Sequence, residues 1–120
     1  MAKVFGIHQL ELKPDADAAE FERFVADEYS ALPSLRGWQT LIVKGDRGEN
    51  VGKYLLILDI ESLETRDRDM PGDGTFSPEV EQWLAASAAL NEKLNSFLMK
   101  AVGVATPFTC LLYTSDAADE

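Results

Sequence analysis

Apolar and polar positions alternate loosely from Lys3 to Leu12 and stop at Lys13-Pro14-Asp15, a turn signal, which predicts a first strand. Asp17 and Glu20 then stand at the spacing of a capping box, with Asp15 as the other cap candidate. Phe21, Phe24, Val25, Tyr29 and Leu32 recur at helical spacing, and Pro33 ends the run. Arg36-Gly37-Trp38 opens a second strand that continues to Lys44. The polar stretch Gly45 to Asn50 suits a hairpin connection to a third strand, Gly52 to Ile60. Ser62 caps a short helix through about Arg68, and Met70 to Gly74 reads as a loop. Ser77-Pro78-Glu79 starts a long helix marked by Val80, Trp83, Leu84, Ser87, Asn91, Leu94, Phe97 and Leu98. Ala101 to Thr106 reads as a fourth strand, stopped by Pro107.

The order β-α-β-β-α-β predicts an α+β, ferredoxin-like fold. Its economical form is a four-stranded antiparallel sheet with both main helices on one face. The third strand decides what happens on the other face. Tyr54, Leu56, Leu58 and Ile60 point one way, and Leu55 and Ile57 the other. A sheet with one wet face alternates apolar with polar residues. Burying each Leu or Ile is worth about 1.5–3 kcal/mol, so an apolar face seeks cover. Two helices cover one side only. A second copy of the chain is the simplest cover for the other; a monomer with an apolar ligand groove is the alternative.

A chain of 120 residues, 46% hydrophobic, is the size of one domain and needs neither metal nor disulfide to fold. No apolar run approaches the roughly 20 residues of a membrane span. The N-terminus lacks the layout of a signal peptide, so a cytoplasmic protein is expected. The net charge of −10 argues against nucleic acid and against anionic membranes as partners.

The segment from Cys110 to Glu120 resembles the translated read-through of a transposase sequencing adapter, as metagenomic sequences carry. A natural acidic tail is the alternative. On the first reading the natural domain is 1–109 and the tail, 110–120, is set aside from fold reasoning. The lone cysteine, Cys110, goes with it. Losing Asp116, Asp119 and Glu120 takes the net charge from −10 to −7. Disulfide and thiolate chemistry then lapse.

Several stretches carry a resemblance: Val4 to His8 with Leu10 to Pro14, Lys44 to Gly48, Gly52 to Leu56, Glu64 to Arg68, and Pro71. Together they resemble dimeric α+β barrel proteins of the NIPSNAP-like and antibiotic-biosynthesis-monooxygenase-like kind, among them small bacterial members. The resemblance spans nearly all of Lys3 to Thr109. It implies a ferredoxin-like subunit that dimerises through its open sheet face. It points weakly to function, since that superfamily holds oxygenases, lyases and haem enzymes.

His8 is the only histidine. It is the candidate general acid–base inside the barrel, because imidazole titrates near neutrality. One histidine cannot build a multi-histidine metal site. A haem needs only one, so haem stays open as a cofactor although none is expected. The bland reading is a packed, hydrogen-bonded side chain. Trp38 and Tyr54 are pocket candidates for stacking an aromatic ligand, against the plainer role of packing. Asp59 interrupts an apolar run, either as a buried acid or where the strand meets water. Arg47, in Asp46-Arg47-Gly48, and Arg66 and Arg68 are anion candidates, against turn chemistry and solvated ion pairs. No phosphate loop, dinucleotide fingerprint, nucleophile elbow or zinc motif is present. The expected function is that of a cofactor-free enzyme acting on a small apolar or aromatic molecule in the barrel cavity. The alternative is a non-catalytic ligand-binding or stress-associated dimer.

Overall fold

The computed structural model describes residues 3–49, 51–102 and 109–112. In chain order these form β1 (Val4–Leu10), α1 (Ala18–Asp27), a 3-10 turn (Tyr29–Ala31), β2 (Trp38–Lys44), β3 (Tyr54–Ile60), α2 (Leu63–Asp69), α3 (Pro78–Ser96) and β4 (Thr109–Leu112). The strands make one sheet in the order β2-β3-β1-β4, antiparallel at every pairing. This is the expected ferredoxin-like plan, with the short α2 preceding the long α3.

Local chemistry explains the element ends. The Asp17 carboxylate accepts from the Ala19 and Glu20 backbone N–H groups at 2.9 and 3.4 Å, satisfying donors that a helix start leaves open. Ser62 and Ser77 do the same for α2 and α3, by accepting from Thr65 and Val80. α1 stops at Asp27, earlier than Pro33. After Glu28 the chain tightens to i→i+3 bonding, with Leu32 N–H on the Tyr29 carbonyl, as helix ends commonly do. β2 begins at Trp38 rather than Arg36 because Gly37 turns the chain at φ +83°.

The predicted two-faced character of β3 is present. Tyr54, Leu56, Leu58 and Ile60 are buried, and Leu55, Ile57 and Asp59 are half-buried. The buried side faces the helices and divides into two apolar clusters. The first joins Leu10, Phe21, Phe24, Tyr29, Tyr54, Leu56, Leu94, Leu98 and Val102. The second joins Val4, Leu35, Trp38, Leu58, Ile60 and Val80. On the opposite face the register lines up Ile7, Ile57 and Leu41 across three strands, and Leu55 beside Val43. Leu41 and Val43 there are 44% and 39% exposed.

The fourth strand differs from expectation. Ala101 and Val102 are not strand, and 103–106 lie outside the described residues. Val102 is instead buried in the first cluster, with its N–H on Asn95 Oδ1 at 2.9 Å. That side-chain bond takes the donor a strand ladder would use. The strand beside β1 is Thr109–Leu112, and all four of its residues are exposed.

Candidate functional site

β1 passes from the second cluster, at Val4, to the first, at Leu10. Gly6 and His8 lie between them on the same helix-facing side, both buried. His8 pairs in register with Leu56 of the first cluster and is 7% exposed. α3 makes the same passage, from Val80 to Leu94, with buried Ser87 midway. Each seven-residue step is about two turns, or roughly 10.5 Å, and returns to the same helix face. On β2, Trp38 belongs to the second cluster and Ile42 packs on the first, with Thr40 between them. The Tyr29 hydroxyl, from the first cluster, lies near enough to Thr40 for the two side chains to interact. By register Thr40 is level with Leu58 and Gly6, and His8 with Leu56 and Ile42, so His8 and Thr40 stand one side-chain step apart on the two strands that flank β3.

Side chains of these types can move protons and make hydrogen bonds. Imidazole can give or take a proton near neutrality. Burial raises the Tyr29 pKa, and Thr40 opposes that shift without cancelling it, so the phenol stays neutral at physiological pH. Ser87 Oγ donates to the Trp83 carbonyl at 2.7 Å, which leaves its lone pairs to accept. Among the described residues no group of three or more His, Cys, Asp or Glu side chains could hold a metal ion.

The other candidates are dispersed. Tyr54 is buried in the first cluster, edge-on to Phe21 at 5.0 Å, and its hydroxyl donates to Glu22 at 2.6 Å. Lys44 also holds Glu22, at 2.9 Å. The Tyr54 bond, then Lys44, lowers the Glu22 pKa. Trp38 is buried in the second cluster, and its indole N–H donates to Asp69. Asp59 lies on the open face, paired with Lys3 at 2.9 Å. Trp38 and Asp59 share a surface hollow of about 360 Å³ with Leu35, Arg36, Gln39 and Glu61. Arg47 is exposed in the β2–β3 connection. Arg66 pairs with its neighbour Asp67 at 3.0 Å, and Arg68 with Asp69 at 2.8 Å. Each of the last two guanidinium groups already holds a carboxylate.

Sequence reasoning did not single out Tyr29, Thr40 or Ser87. Ser87 carried a usable signal, since it stands seven residues from both Val80 and Leu94 on an otherwise apolar face. Tyr29 and Thr40 carried none, because their meeting depends on how α1 docks. Asp69 was also missed. Its side chain is 1% exposed and binds Arg68, Ser77 and Trp38.

No family model matches the chain, and no curated protein matches it. Among solved structures, its fold is similar to that of an antibiotic biosynthesis monooxygenase-like protein of Bordetella bronchiseptica. The TM-score is 0.50 and the identity 16%, over 93% of this chain and 95% of that one. At that identity the likeness is one of fold: this chain has the ferredoxin-like α+β fold of that protein.

Proposed function

We propose that the protein binds a small apolar or aromatic molecule beside His8 and acts on it without a cofactor, His8 moving the proton. The observation that carries this reading is the place of His8, the only histidine, buried on the helix-facing side of β1 between Val4 of one apolar cluster and Leu10 of the other. Ligand sites are typically apolar with a few convergent polar groups. The similar fold of a monooxygenase-like protein supports a small-molecule role by analogy, a weaker warrant than the site itself.

We also propose a homodimer through the open sheet face. The row Ile7–Ile57–Leu41, with Val43 and Leu55 beside it, supports it. Apolar surface of this kind is stabilised by a matching copy.

The test is a fragment screen by ligand-observed NMR on the wild type and on His8→Ala, with dimer mass and circular dichroism as controls. Apolar aromatic fragments are expected to bind the wild type, and any turnover is expected to vanish in the variant while the fold persists. Equal binding and turnover in both would remove His8 from the mechanism. A Soret band on haem titration, lost in His8→Ala, would replace the cofactor-free reading with a haem one.

One observation favours a second reading, a binding dimer without chemistry. Among the described residues every buried side-chain nitrogen or oxygen already has a hydrogen-bond partner. Fragment binding without turnover, retained in His8→Ala, would select it.

A further inference from the structure

Three strand ends meet where Val4, Ile60 and Trp38 stand side by side in register. Residues at and just beyond them line the surface hollow of about 360 Å³. That volume lies within the roughly 300–1,000 Å³ typical of small-molecule sites. Leu35 and Trp38, both buried, give it an apolar base, and the bond to Asp69 holds Trp38 in place. Gln39 and Asp59 lie on the open side of the sheet, whereas His8 lies on the helix side, so the hollow is separate from the site described above.

The lining holds two cations, Lys3 and Arg36, and two carboxylates, Asp59 and Glu61, so its formal charges cancel. The four are not equally committed. Lys3 Nζ is paired with Asp59 Oδ1 at 2.9 Å. Glu61 Oε1 accepts from the Thr65 hydroxyl at 2.8 Å, and a side-chain carbon at Gly37 would come within 3.0 Å of the same oxygen. Only glycine lets a carboxylate settle so close to the backbone beside Arg36. Glu61 Oε2 accepts no hydrogen bond among the described residues. Arg36 is exposed, and its guanidinium has neither a hydrogen bond nor an ion pair among the described residues. The same holds for the side chains of Ser34 and Gln39. Arg36 and Glu61 flank Gly37 with opposite charges, yet they do not pair with each other. The uncommitted groups are therefore a cluster of donors around Arg36 and one carboxylate oxygen on Glu61.

We propose that this hollow binds a small zwitterion, an α-amino acid, with its carboxylate on Arg36, Ser34 and Gln39 and its ammonium on Glu61. A guanidinium holds a carboxylate through two parallel N–H donors, and an ammonium brings three donors to a carboxylate oxygen. A plain anion would meet Asp59 and Glu61, and a plain amine would meet Lys3 and Arg36, so each faces like charge. A ligand that carries both charges and sums to zero matches a lining that does the same. The apolar base of Leu35 and Trp38 favours an aliphatic side chain on that amino acid.

The experiment titrates L-leucine into the isotope-labelled wild type and follows the backbone amides of Arg36 to Gln39 and of Glu61 by NMR. Exposed charge pairs bind weakly, so a saturable shift with a midpoint of about 1–5 mM is expected. N-acetyl-L-leucine lacks the ammonium and L-leucinamide lacks the carboxylate, and each is expected to bind at least about tenfold more weakly. Arg36→Gln removes the cation, and Glu61→Gln removes the charge while leaving an acceptor for Thr65. Each is expected to weaken L-leucine binding by roughly fivefold or more. The thermal midpoint of Arg36→Gln should match the wild type, since that side chain holds nothing else among the described residues. Should Glu61→Gln fail to fold, the two blocked compounds decide the ammonium end on the wild type. No saturable shift with L-leucine overturns the proposal, and so does wild-type affinity in Arg36→Gln. N-acetyl-L-leucine binding as tightly as L-leucine would make the hollow a carboxylate site and overturn the zwitterion. The proposal stands or fails independently of His8.

Discussion

The indole N–H of Trp38, the first residue of β2, donates to the carboxylate of Asp69, the last residue of α2, at 2.7 Å. Both side chains are buried, and the bond joins the sheet to the helix layer across the second apolar cluster. Removing one partner of such a bond costs more than the bond contributes, because the other is left without water. Asp69→Ala strands the Trp38 N–H and the Ser77 hydroxyl together. It is expected to destabilise by roughly 2–5 kcal/mol, and Trp38→Phe by about 1–3 kcal/mol, measured by urea unfolding. Equal midpoints for wild type and Asp69→Ala would mean the carboxylate holds nothing.

The same carboxylate predicts a pH dependence. Burial alone would raise the pKa of Asp69, but bonds from Arg68, Ser77 and Trp38 prevail and hold it below the ordinary aspartate value. The folded state therefore favours the ionised form. Its contribution is complete above the unfolded pKa of about 3.9 and is lost as pH falls through the lower folded value. Wild type should lose stability on acidification below about pH 4 more steeply than Asp69→Asn. Parallel curves would contradict this.

Gly37 is a second fixed point. Its φ of +83° suits glycine, and a side-chain carbon there would lie 2.8 Å from Thr65 Cγ2. Thr65 is itself buried and bonded to Ser62 and Glu61, so it has little room to yield. Gly37→Ala is expected to cost roughly 1–3 kcal/mol, whereas Gly48→Ala, with open space around it, should cost less. A thermal melt of the two variants compares them.

The proposed dimer is tested on the open face. Leu41 is 44% exposed in the single chain, so a charge there disturbs the subunit little. Leu41→Asp should halve the mass seen by light scattering and leave the circular dichroism spectrum unchanged. A wild type that is already monomeric would remove the second copy as the cover of this face.

Much of the architecture was legible because short-range chemistry dictates it. Asp17, Ser62 and Ser77 announce their helices by type and position, and each caps as expected. The alternation of β3 disclosed a strand apolar on both sides. What was not legible depends on docking. Nothing local says that Trp38 meets Asp69, thirty-one residues on, or that Tyr29 meets Thr40. His8 could be named as the lone imidazole. The face it occupies follows only once β1 is placed in register with Leu56. The last-strand reading failed at Val102 because that residue finds its partner in the Asn95 side chain and its cover in the first cluster; 103–106 lie outside the described residues.

The sheet order has a kinetic consequence. β2 and β3 are joined by one short connection, so they can zip together locally. β1 must travel across α1 and β2 to reach the far edge of β3, closing Val4 onto Ile60. Closing long loops costs entropy before any contact repays it, so β1 is expected to dock late. In pulse-labelled refolding, the amides of β2 and β3 should gain protection ahead of those of β1; simultaneous protection would refute that sequence of events. His8 arrives with β1. The imidazole would then be among the last groups set in place and the first released, and its release would leave only the β2–β3 pairing of the sheet intact.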